Sequence, residues 1–235
     1  MGELFELLAF GPEGWGDELA TGTWLTIKLA LTTLPVGLAF GFLIALAKSS
    51  GERSLEFAAN VYTTVFRGVP ELLTLFIVYY GGQILLQQIV GLFTDVYVEV
   101  SGFVAGVIAL GLVFSAFSSE VFLSAFRGIP AGQYEAGHAL GLSRFQTMRL
   151  VILPQLIRLA LPGLSNLWLI LLKETALVSV IALDDLLRKT NIAVGSTKEP
   201  FFFYFVACMI YLVLSMISSV GLGGVDRWAR RGEIR

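Results

Sequence analysis

Several ionisable and polar residues lie inside stretches of sequence that are otherwise apolar, where they could act on a solute. Glu120 follows Ser115, Ser118 and Ser119 closely. A charge at bilayer depth costs roughly 3 kcal/mol or more, so it normally faces water, a solute or an opposite charge. We therefore expect Glu120 either to contact a solute or to have a structural or gating role, in which it pairs with Arg127 through an intermediate group or a bend of the helix. The serines can donate hydrogen bonds to their own backbone or to a neighbouring helix.

A second polar set follows Pro154 and repeats with helical spacing. Residues three or four positions apart share one face of a helix, and here they are Gln155, Leu159, Pro162, Asn166, Ile170 and Lys173. The polar members of such a face, together with Ser165 beside it, can line a passage for a polar solute. With Gln83, which follows a Gly-Gly pair, the predicted passage residues are Gln83, Ser119, Glu120, Ser165, Asn166 and Trp168.

The sequence offers no group of residues suited to metal binding or to nucleophilic catalysis. His138 is the only histidine, and the sequence places no partner for a metal site or a Ser–His pair near it. We interpret it as a solvated or interface residue. No Gly-Lys dipeptide occurs, so we expect that this chain neither hydrolyses ATP nor binds a cofactor. Cys208 is the single cysteine, which excludes an internal disulfide.

The composition is that of an integral membrane protein. Of 235 residues, 56% are hydrophobic and 14% are charged, whereas soluble domains carry about 25% charged residues. The mean hydropathy is +0.78, and the net charge of −2 argues against a nucleic-acid partner. Stretches of about 20 mostly apolar residues predict membrane spans. They predict one all-helical transmembrane domain over residues 1–235, with spans at about 23–47, 57–93, 102–126, 155–172 and 201–222.

The second predicted span contains a helix-breaking sequence, Arg-Gly-Val-Pro, at residues 67–70. A proline removes a backbone donor and restricts the residue before it, so it interrupts a helix. We expect this interruption to lie at the membrane surface.

Lys and Arg are distributed unevenly between the segments that flank the spans, and cytoplasmic loops carry an excess of both. Three segments hold eleven of them: Lys48, Arg53, Arg67, Arg127, Arg144, Arg149, Arg158, Arg227, Arg230, Arg231 and Arg235. The segments on the opposite side hold few. The N-terminal segment and the loop around Asp95 and Glu99 hold no Lys or Arg, and the last loop holds only Arg188, Lys189 and Lys198. The pattern predicts an external N-terminus and a cytoplasmic C-terminus.

The segment from 130 to 154 is polar and helix-forming although it lies between two apolar runs. Pro130 ends the preceding helix, and residues 133–140 predict a short helix. Gly141 supplies a residue that can cap this helix in the left-handed conformation. The segment therefore begins as a helix followed by a glycine hinge.

The second half of this segment begins with its own capping signal. Ser143 and Gln146 have the spacing of a capping box, which predicts a second helix ending at Leu153 and Pro154. We refer to residues 130–154 as the elbow. A polar elbow between two membrane spans is expected to dock another protein on the cytoplasmic side.

The elbow resembles the EAA loop of ABC-importer permeases, whose pattern is Glu-Ala-Ala, three residues, Gly, nine residues, an aliphatic residue, one more and Leu-Pro. The matching residues are Glu135, Ala136, Gly141, Val151, Leu153 and Pro154, with Gly137 in place of the second Ala. In that family the loop is a coupling helix that sits in a groove of the ATPase subunit. The resemblance implies that the residues coupling this chain to an ATPase are Glu135, Ala136, Gly137, Leu140, Gly141 and Pro154.

Further segments resemble the polar-amino-acid subfamily of these permeases, in particular the Q-type subunits for histidine, basic amino acids and opines. They lie at 23–26, 67–70, 173–179 and 199–201. The resemblance implies a five-helix type I importer core in the bacterial inner membrane, with a periplasmic N-terminus. It also implies a second permease subunit, two ATPase subunits that bind ATP and Mg²⁺, and a periplasmic binding protein that delivers a polar amino acid, cationic or opine-type.

One position departs from the pattern of related permeases. Those that hold an amino acid within the membrane often carry Asn-Glu where this chain has Asn166 and Leu167. The missing carboxylate favours a heterodimer whose second permease subunit carries the main solute site. An ion-coupled secondary transporter working without an ATPase is the alternative, although five spans without an inverted repeat match it poorly.

Overall fold

The computed structural model describes residues 4, 6–11, 14–94, 96–181 and 183–230, and this part of the chain is helical and contains no strand. Five of its helical stretches are long and apolar enough to span a membrane, as predicted. Asp95, Arg231 and Arg235, used in the orientation argument, lie outside the described residues. From Gly16 onward the helices are α1 (Gly16–Lys48), α2 (Arg53–Gly68), α3 (Glu71–Gly91), α4 (Gly102–Gly128), α5 (Ala131–Ala139), α6 (Arg144–Thr147), α7 (Leu153–Glu174), α8 (Leu186–Thr197) and α9 (Pro200–Arg230).

The long helices extend beyond the predicted spans. α1 begins at Gly16 instead of 23, and α9 continues to Arg230 instead of ending at 222. Asp17 and Glu18, which limit the apolar stretch in the sequence, lie in the first turn of α1. Acidic side chains are favourable there because they interact with the positive end of the helix dipole. Charged residues therefore end the apolar stretch without ending the helix.

The second predicted span is interrupted at residues 67–70, where the sequence predicts a break. The chain forms α2 and α3 with Val69 and Pro70 between them, and a π-helical turn at Ile77–Gly81 interrupts α3. Val69 is extended, with φ −92° and ψ 134°, because the ring of a following proline disfavours the helical conformation. Pro70 then begins the new helix, where its missing N–H is not needed.

The residue before this break packs against α4. Arg67, just before it, lies 3.6 Å from Glu120 and stacks over Phe117, both in α4. At 1.5 Å per residue these two residues are about 12–16 Å from the end of α4. The break therefore lies alongside the body of the bundle, because the residues before it pack against α4.

α1 and α4 form the most extensive helix pair in the described part of the chain. A Cβ on Gly37 would lie 2.6 Å from Phe114, and one on Gly41 would overlap the hydroxyl of Ser118. Ser118 Oγ donates to the carbonyl oxygen of Gly37 at 3.3 Å. Small residues let helix backbones approach closely in lipid. The core beside this contact includes Leu29, Leu75, Leu110, Phe114, Leu167, Leu171 and Val178.

The two ends of the bundle carry different elements. α5 and α6 lie at one end, called the elbow end, and α8 lies at the other, called the α8 end. At the α8 end a Cβ on Gly22 of α1 would lie 2.9 Å from the carbonyl oxygen of Asp185. The N–H of Leu186 donates to Thr26 Oγ1 at 3.2 Å. α1 and α4 both run from the α8 end to the elbow end, and α7 returns toward the α8 end.

Charged side chains fix α8 to the start of α1. Asp185 is fully buried and caps α8 by accepting a hydrogen bond from the N–H of Arg188 at 2.9 Å. Burial raises the pKa of Asp185 to about 6. Lys189 Nζ lies 2.7 Å from Glu18 and 3.4 Å from Asp184, and the hydrogen bond with Glu18 raises the pKa of Lys189.

Candidate coupling elbow and solute passage

The first helix of the elbow ends in the cap that the sequence predicts. α5 ends at Ala139, and Gly141 has φ +75°. The N–H of Gly141 donates to the carbonyl of His138 at 2.9 Å, and that of Leu142 donates to the carbonyl of Gly137 at 3.1 Å. These two bonds form a Schellman motif, which satisfies carbonyls at the helix end while the chain turns. The left-handed cap predicted at Gly141 is confirmed.

The second helix begins with the predicted capping box. The N–H of Gln146 donates to Ser143 Oγ at 3.3 Å, and the N–H of Ser143 donates to Gln146 Oε1 at 2.9 Å. Each side chain thereby satisfies a backbone donor that α6 leaves free. Local sequence alone therefore fixes both helix ends on either side of the turn.

The predicted end of the elbow at Pro154 is wrong. A π-helical turn at Met148–Ile152 joins α6 to α7, and Pro154 lies in the first turn of α7. A helix tolerates a proline there because the adjoining π-helical turn gives the freed backbone groups other partners. Gln155 Nε2 donates to Gln133 Oε1 of α5 at 3.0 Å, and Ile152 is fully buried. The elbow is therefore continuous with α7 and bonded to its first turn.

Gly137, the departure from the Glu-Ala-Ala pattern, lies at the contact between the two elbow helices. A Cβ at this position would lie 2.5 Å from Cγ2 and 2.7 Å from Oγ1 of Thr147. Thr147 is 1% exposed. A glycine is therefore required by the threonine that faces it, which explains why alanine is absent from this position.

The surface of the elbow exposes large apolar side chains. Leu140, Phe145 and Leu150 are 78%, 72% and 61% exposed, and Glu135 and Ala136 are also exposed. An exposed apolar patch bordered by polar residues marks a site of protein or membrane interaction. The predicted coupling residues thus share one end of the bundle, except that Gly137 is buried and Pro154 lies where α7 begins.

Two of the predicted passage residues share a cavity between α7 and α9. Ser165 and Asn166 lie there opposite Ser219 and Asp226 of α9, together with apolar residues, in a volume of ≈ 340 Å³. Hydroxyl, amide and carboxylate oxygens are acceptors for the N–H groups of an ammonium or guanidinium ion. The cavity therefore has the chemistry to bind a cationic group.

Glu120 lies at a junction of three helices and is not paired with Arg127. Its Oε1 accepts a hydrogen bond from Lys48 Nζ of α1 at 2.5 Å and lies 3.6 Å from Arg67 Nη1 of α2. Lys48 also donates to Thr63 Oγ1 of α2 at 2.7 Å. Pairing with Arg127 is wrong because that residue lies two turns away along α4, about 10 Å. Of the two roles predicted for Glu120, the geometry shows the contact between helices.

A second cavity lies beside this junction, between α4 and α7. Its volume is ≈ 450 Å³, and it is lined by Glu120, Val121, Ser124, Ala125, Gly128, Leu159 and Gly163. A Cβ on Gly163 would lie 2.7 Å from Val121, so the helices touch closely at one point and separate beside it. Glu120 is the only ionisable residue of this lining, and its side chain is 34% exposed.

The remaining predicted passage residues lie elsewhere. Gln83 donates to the carbonyl of Val98 at 2.8 Å and accepts from the N–H of Val100 at 2.7 Å, so it holds the loop after α3. Ser119 is fully buried and donates to the backbone of its own helix at 2.7 Å. Trp168 packs against the core. Among the six predicted residues, the structure brings only Ser165 and Asn166 together in one cavity, and the part of all six in solute passage stays a prediction.

The sequence reasoning missed Lys48, Arg67, Ser219 and Asp226 as members of these sites. A charge count assigns Lys48 and Arg67 to a cytoplasmic loop. One signal was available, since the first and third spans run in the same direction, which puts Lys48 and Glu120 near the same end of parallel helices. The pairing of Ser219 and Asp226 with α7 has no such signal, because it depends on how α9 packs.

Residues 37–231 match the family of binding-protein-dependent transport system inner membrane components. The chain belongs to this family. It is therefore the permease component of an importer and not an enzyme, and ATP hydrolysis belongs to a separate subunit. It is also a multi-pass membrane protein, in agreement with the five membrane-length helices.

Two relatives extend over nearly the whole permease. The chain is 44% identical over 228 residues to the nopaline transport system permease protein NocQ of Agrobacterium fabrum, covering 96% of this chain and 97% of NocQ. It is 39% identical over 230 residues to the arginine ABC transporter permease protein ArtQ of Escherichia coli K12, covering 92% and 97%. The predicted resemblance to Q-type permeases of the polar amino acid subfamily is confirmed.

Solved structures show the same architecture. The chain matches an amino acid ABC transporter crystallised with histidines, with a TM-score of 0.77 and 32% identity, covering 91% of this chain and 94% of that chain. It matches the inward-facing MetNI methionine ABC transporter with a TM-score of 0.69 and 18% identity, covering 98% and 99%. The predicted all-helical ABC-importer permease fold is confirmed.

Proposed function

We propose that this permease belongs to an ATP-driven importer for cationic or opine-type amino acids and that its elbow receives the force from the ATPase. The observation that carries the proposal is the doubly capped elbow, which exposes Leu140 and Phe145 and is continuous with α7. The names of NocQ and ArtQ, which refer to nopaline and arginine transport, support the class of solute.

In this proposal the elbow docks in a groove of an ATPase subunit, and two such subunits bind ATP and Mg²⁺. Glu135, Ala136, Leu140 and Gly141 contact the ATPase, while Gly137 and Pro154 keep the elbow in shape. The elbow end is cytoplasmic, and the α8 end is periplasmic and meets the binding protein. The asymmetry of Lys and Arg supports this orientation. Because the elbow continues into α7, its movement opens the passage alternately to the two sides.

The solute is proposed to pass the α7–α9 cavity. Asn166 and Ser165 offer acceptors there for a cationic group. Leu167 is 9% exposed and belongs to the apolar core, so a carboxylate at this position would be buried without water. The absence of a carboxylate at position 167 supports a heterodimer in which a second permease subunit carries the main solute site.

The docking role of the elbow is tested with a pair of matched double variants. Leu140→Ser with Phe145→Ser removes two exposed apolar side chains from the elbow. Leu92→Ser with Phe93→Ser removes two that are 80% and 81% exposed near the opposite end. Interface anchors of this kind contribute a factor of about 30 or more to binding. We expect the elbow variant alone to lose the co-purifying ATPase subunit, and equal retention in both variants would contradict the proposal.

Transport is tested in liposomes that contain the complete importer with its co-purifying subunits and binding protein. Labelled arginine, lysine, histidine, nopaline and octopine are offered with and without Mg-ATP inside the vesicles. We expect uptake of at least one of these solutes only with Mg-ATP. Uptake by this chain alone, driven by an ion gradient, would show a secondary transporter instead.

A further inference from the structure

Glu120 contacts two cations whose surroundings differ. The side chain of Lys48, the last residue of α1, is only 5% exposed and lies 2.5 Å from Glu120 Oε1. Arg67, near the end of α2, is 45% exposed, and its Nη1 lies 3.6 Å from the same oxygen. Its guanidinium also lies over the ring of Phe117, 5.5 Å from the centroid. One carboxylate therefore holds a buried partner closely and an accessible partner loosely.

These contacts lie between the elbow and the break in the second span. Beyond Glu120, α4 continues to Gly128 and leads through Pro130 into the elbow. Arg67 directly precedes the break at Val69 and Pro70. Other contacts between α2 and α4, such as that of Tyr62 with Ser115 at 2.7 Å, lie earlier in α2. The charged contact is the one next to the break.

We propose that Arg67 is a positioning residue for coupled transport, and that its contact with Glu120 passes movement of the elbow from α4 to the break between α2 and α3. The inference rests on the proposed function above. Lys48 anchors the carboxylate, so that Glu120 stays paired whether or not Arg67 contacts it. The end of α2 and the start of α3 then follow α4 while the contact is closed and move separately once it opens. The bonds of Lys48 with Thr63 and of Tyr62 with Ser115 keep the body of α2 in place.

The energetics of the two contacts indicate that the contact between Glu120 and Arg67 can form and break reversibly. Breaking a buried ion pair leaves an uncompensated charge and is strongly destabilising. Releasing Arg67 leaves no uncompensated charge, because Glu120 stays paired with Lys48 and the guanidinium of Arg67 is already accessible to water. Partly exposed ion pairs contribute little to stability. The contact with Arg67 can therefore open and close within a transport cycle without affecting the fold.

The test compares Arg67→Gln with Arg53→Gln in the complete importer. Arg53 is exposed and lies in the first turn of the same helix, so its variant controls for the loss of a positive charge on α2. Spin labels on the exposed native Cys208 of α9 and on Gly68→Cys, where a side chain meets open space, report movement of α2 at the break. A second pair, Cys208 with Gly132→Cys, reports movement of the elbow. Both distances are measured by pulsed electron paramagnetic resonance with and without Mg-ATP and vanadate.

We expect Mg-ATP with vanadate to change both distances in the unsubstituted importer and in Arg53→Gln. In Arg67→Gln the elbow distance should still change while the α2 distance does not, and solute moved per ATP should fall about fivefold or more, the range of coupling between sites. Arg67→Lys should restore part of the change in the α2 distance and part of the solute moved per ATP. If the α2 distance still changes in Arg67→Gln, this inference is overturned while the proposed function stands. If the elbow distance in the unsubstituted importer does not respond to nucleotide, the proposed function itself is overturned.

A second variant keeps the inference testable if Arg67→Gln assembles poorly. Lys48→Met with Glu120→Gln replaces the ion pair by neutral side chains of similar size, a change that often leaves stability intact. We expect this importer to assemble and to show the same loss of α2 movement. Normal movement of α2 in a stable double variant would overturn the inference.

Discussion

The contact between Gly137 and Thr147 leads to a prediction at the scale of single residues. Gly137→Ala would bring a methyl group within 2.5 Å of Thr147. Overpacking of this kind costs about 1–3 kcal/mol, so we expect a lower melting temperature and weaker ATPase association. Thr147→Ala should restore most of the loss in the double variant, since the closest remaining atom is Cβ of residue 147 at 3.1 Å. The measurement is thermal unfolding in detergent of the unsubstituted protein, the two single variants and the double variant. An unchanged melting temperature in Gly137→Ala would contradict the prediction.

A second residue-scale prediction concerns Asp185, the buried cap of α8. Burial raises the pKa of Asp185 from an ordinary value of 3.8 to about 6, against the lowering effect of backbone N–H groups such as that of Arg188. The folded chain therefore binds this proton more tightly than the unfolded chain does. The resulting stabilisation is complete below pH about 4 and is lost as the pH rises through about 6.

Asp185→Asn keeps an oxygen that can accept the hydrogen bond and removes the titration. We expect the unsubstituted protein to gain melting temperature relative to Asp185→Asn as the pH falls from 7.5 to 5, with the gain beginning near pH 6. Thermal unfolding in lipid nanodiscs over this pH range measures the difference. A difference that does not vary with pH would show that Asp185 stays ionised in the fold.

At the scale of the elements, the turn of the elbow depends on the left-handed conformation of Gly141. With φ +75°, an alanine at this position costs about 1–2 kcal/mol, whereas asparagine adopts the conformation more easily. We expect Gly141→Ala to lower transport per ATP hydrolysed and Gly141→Asn to have a smaller effect. Both should insert into the membrane normally, because no span is changed.

Gly132→Ala is the matched control for these variants. Gly132 lies in α5, has an ordinary φ and has open space around the position of a Cβ. Transport and ATP hydrolysis by the reconstituted importer are measured for all three variants. A loss in Gly132→Ala as large as that in Gly141→Ala would show that the turn is not the sensitive feature.

At the scale of the whole molecule, the positions of the two ends predict accessibility from the two sides of the membrane. In a Cys208→Ser background, Ser196→Cys labels the α8 end and Ala139→Cys labels the elbow, both at exposed positions. We expect a membrane-impermeant maleimide to modify Ser196→Cys in intact spheroplasts and Ala139→Cys only after permeabilisation. The reverse pattern would contradict both the orientation and the proposed ATPase contact.

Features that depend on neighbours in the chain follow from the sequence alone. Long apolar runs determine helical spans because lipid offers no partners for the backbone. Gly141 determines a left-handed cap, and Ser143 with Gln146 determines a helix start, because those hydrogen bonds connect residues only a few positions apart. The membrane class, the elbow and the family were therefore accessible before any coordinates.

Features that depend on contacts between distant segments required the tertiary structure. Lys48 and Glu120 are 72 positions apart, and their pairing follows from the depth at which α1 and α4 cross, which no local pattern encodes. The same is true of the space that makes Gly137 necessary and of the break beside α4. Local hydrogen bonds and hydrophobicity select each helix, but only packing decides which side chains of different helices meet.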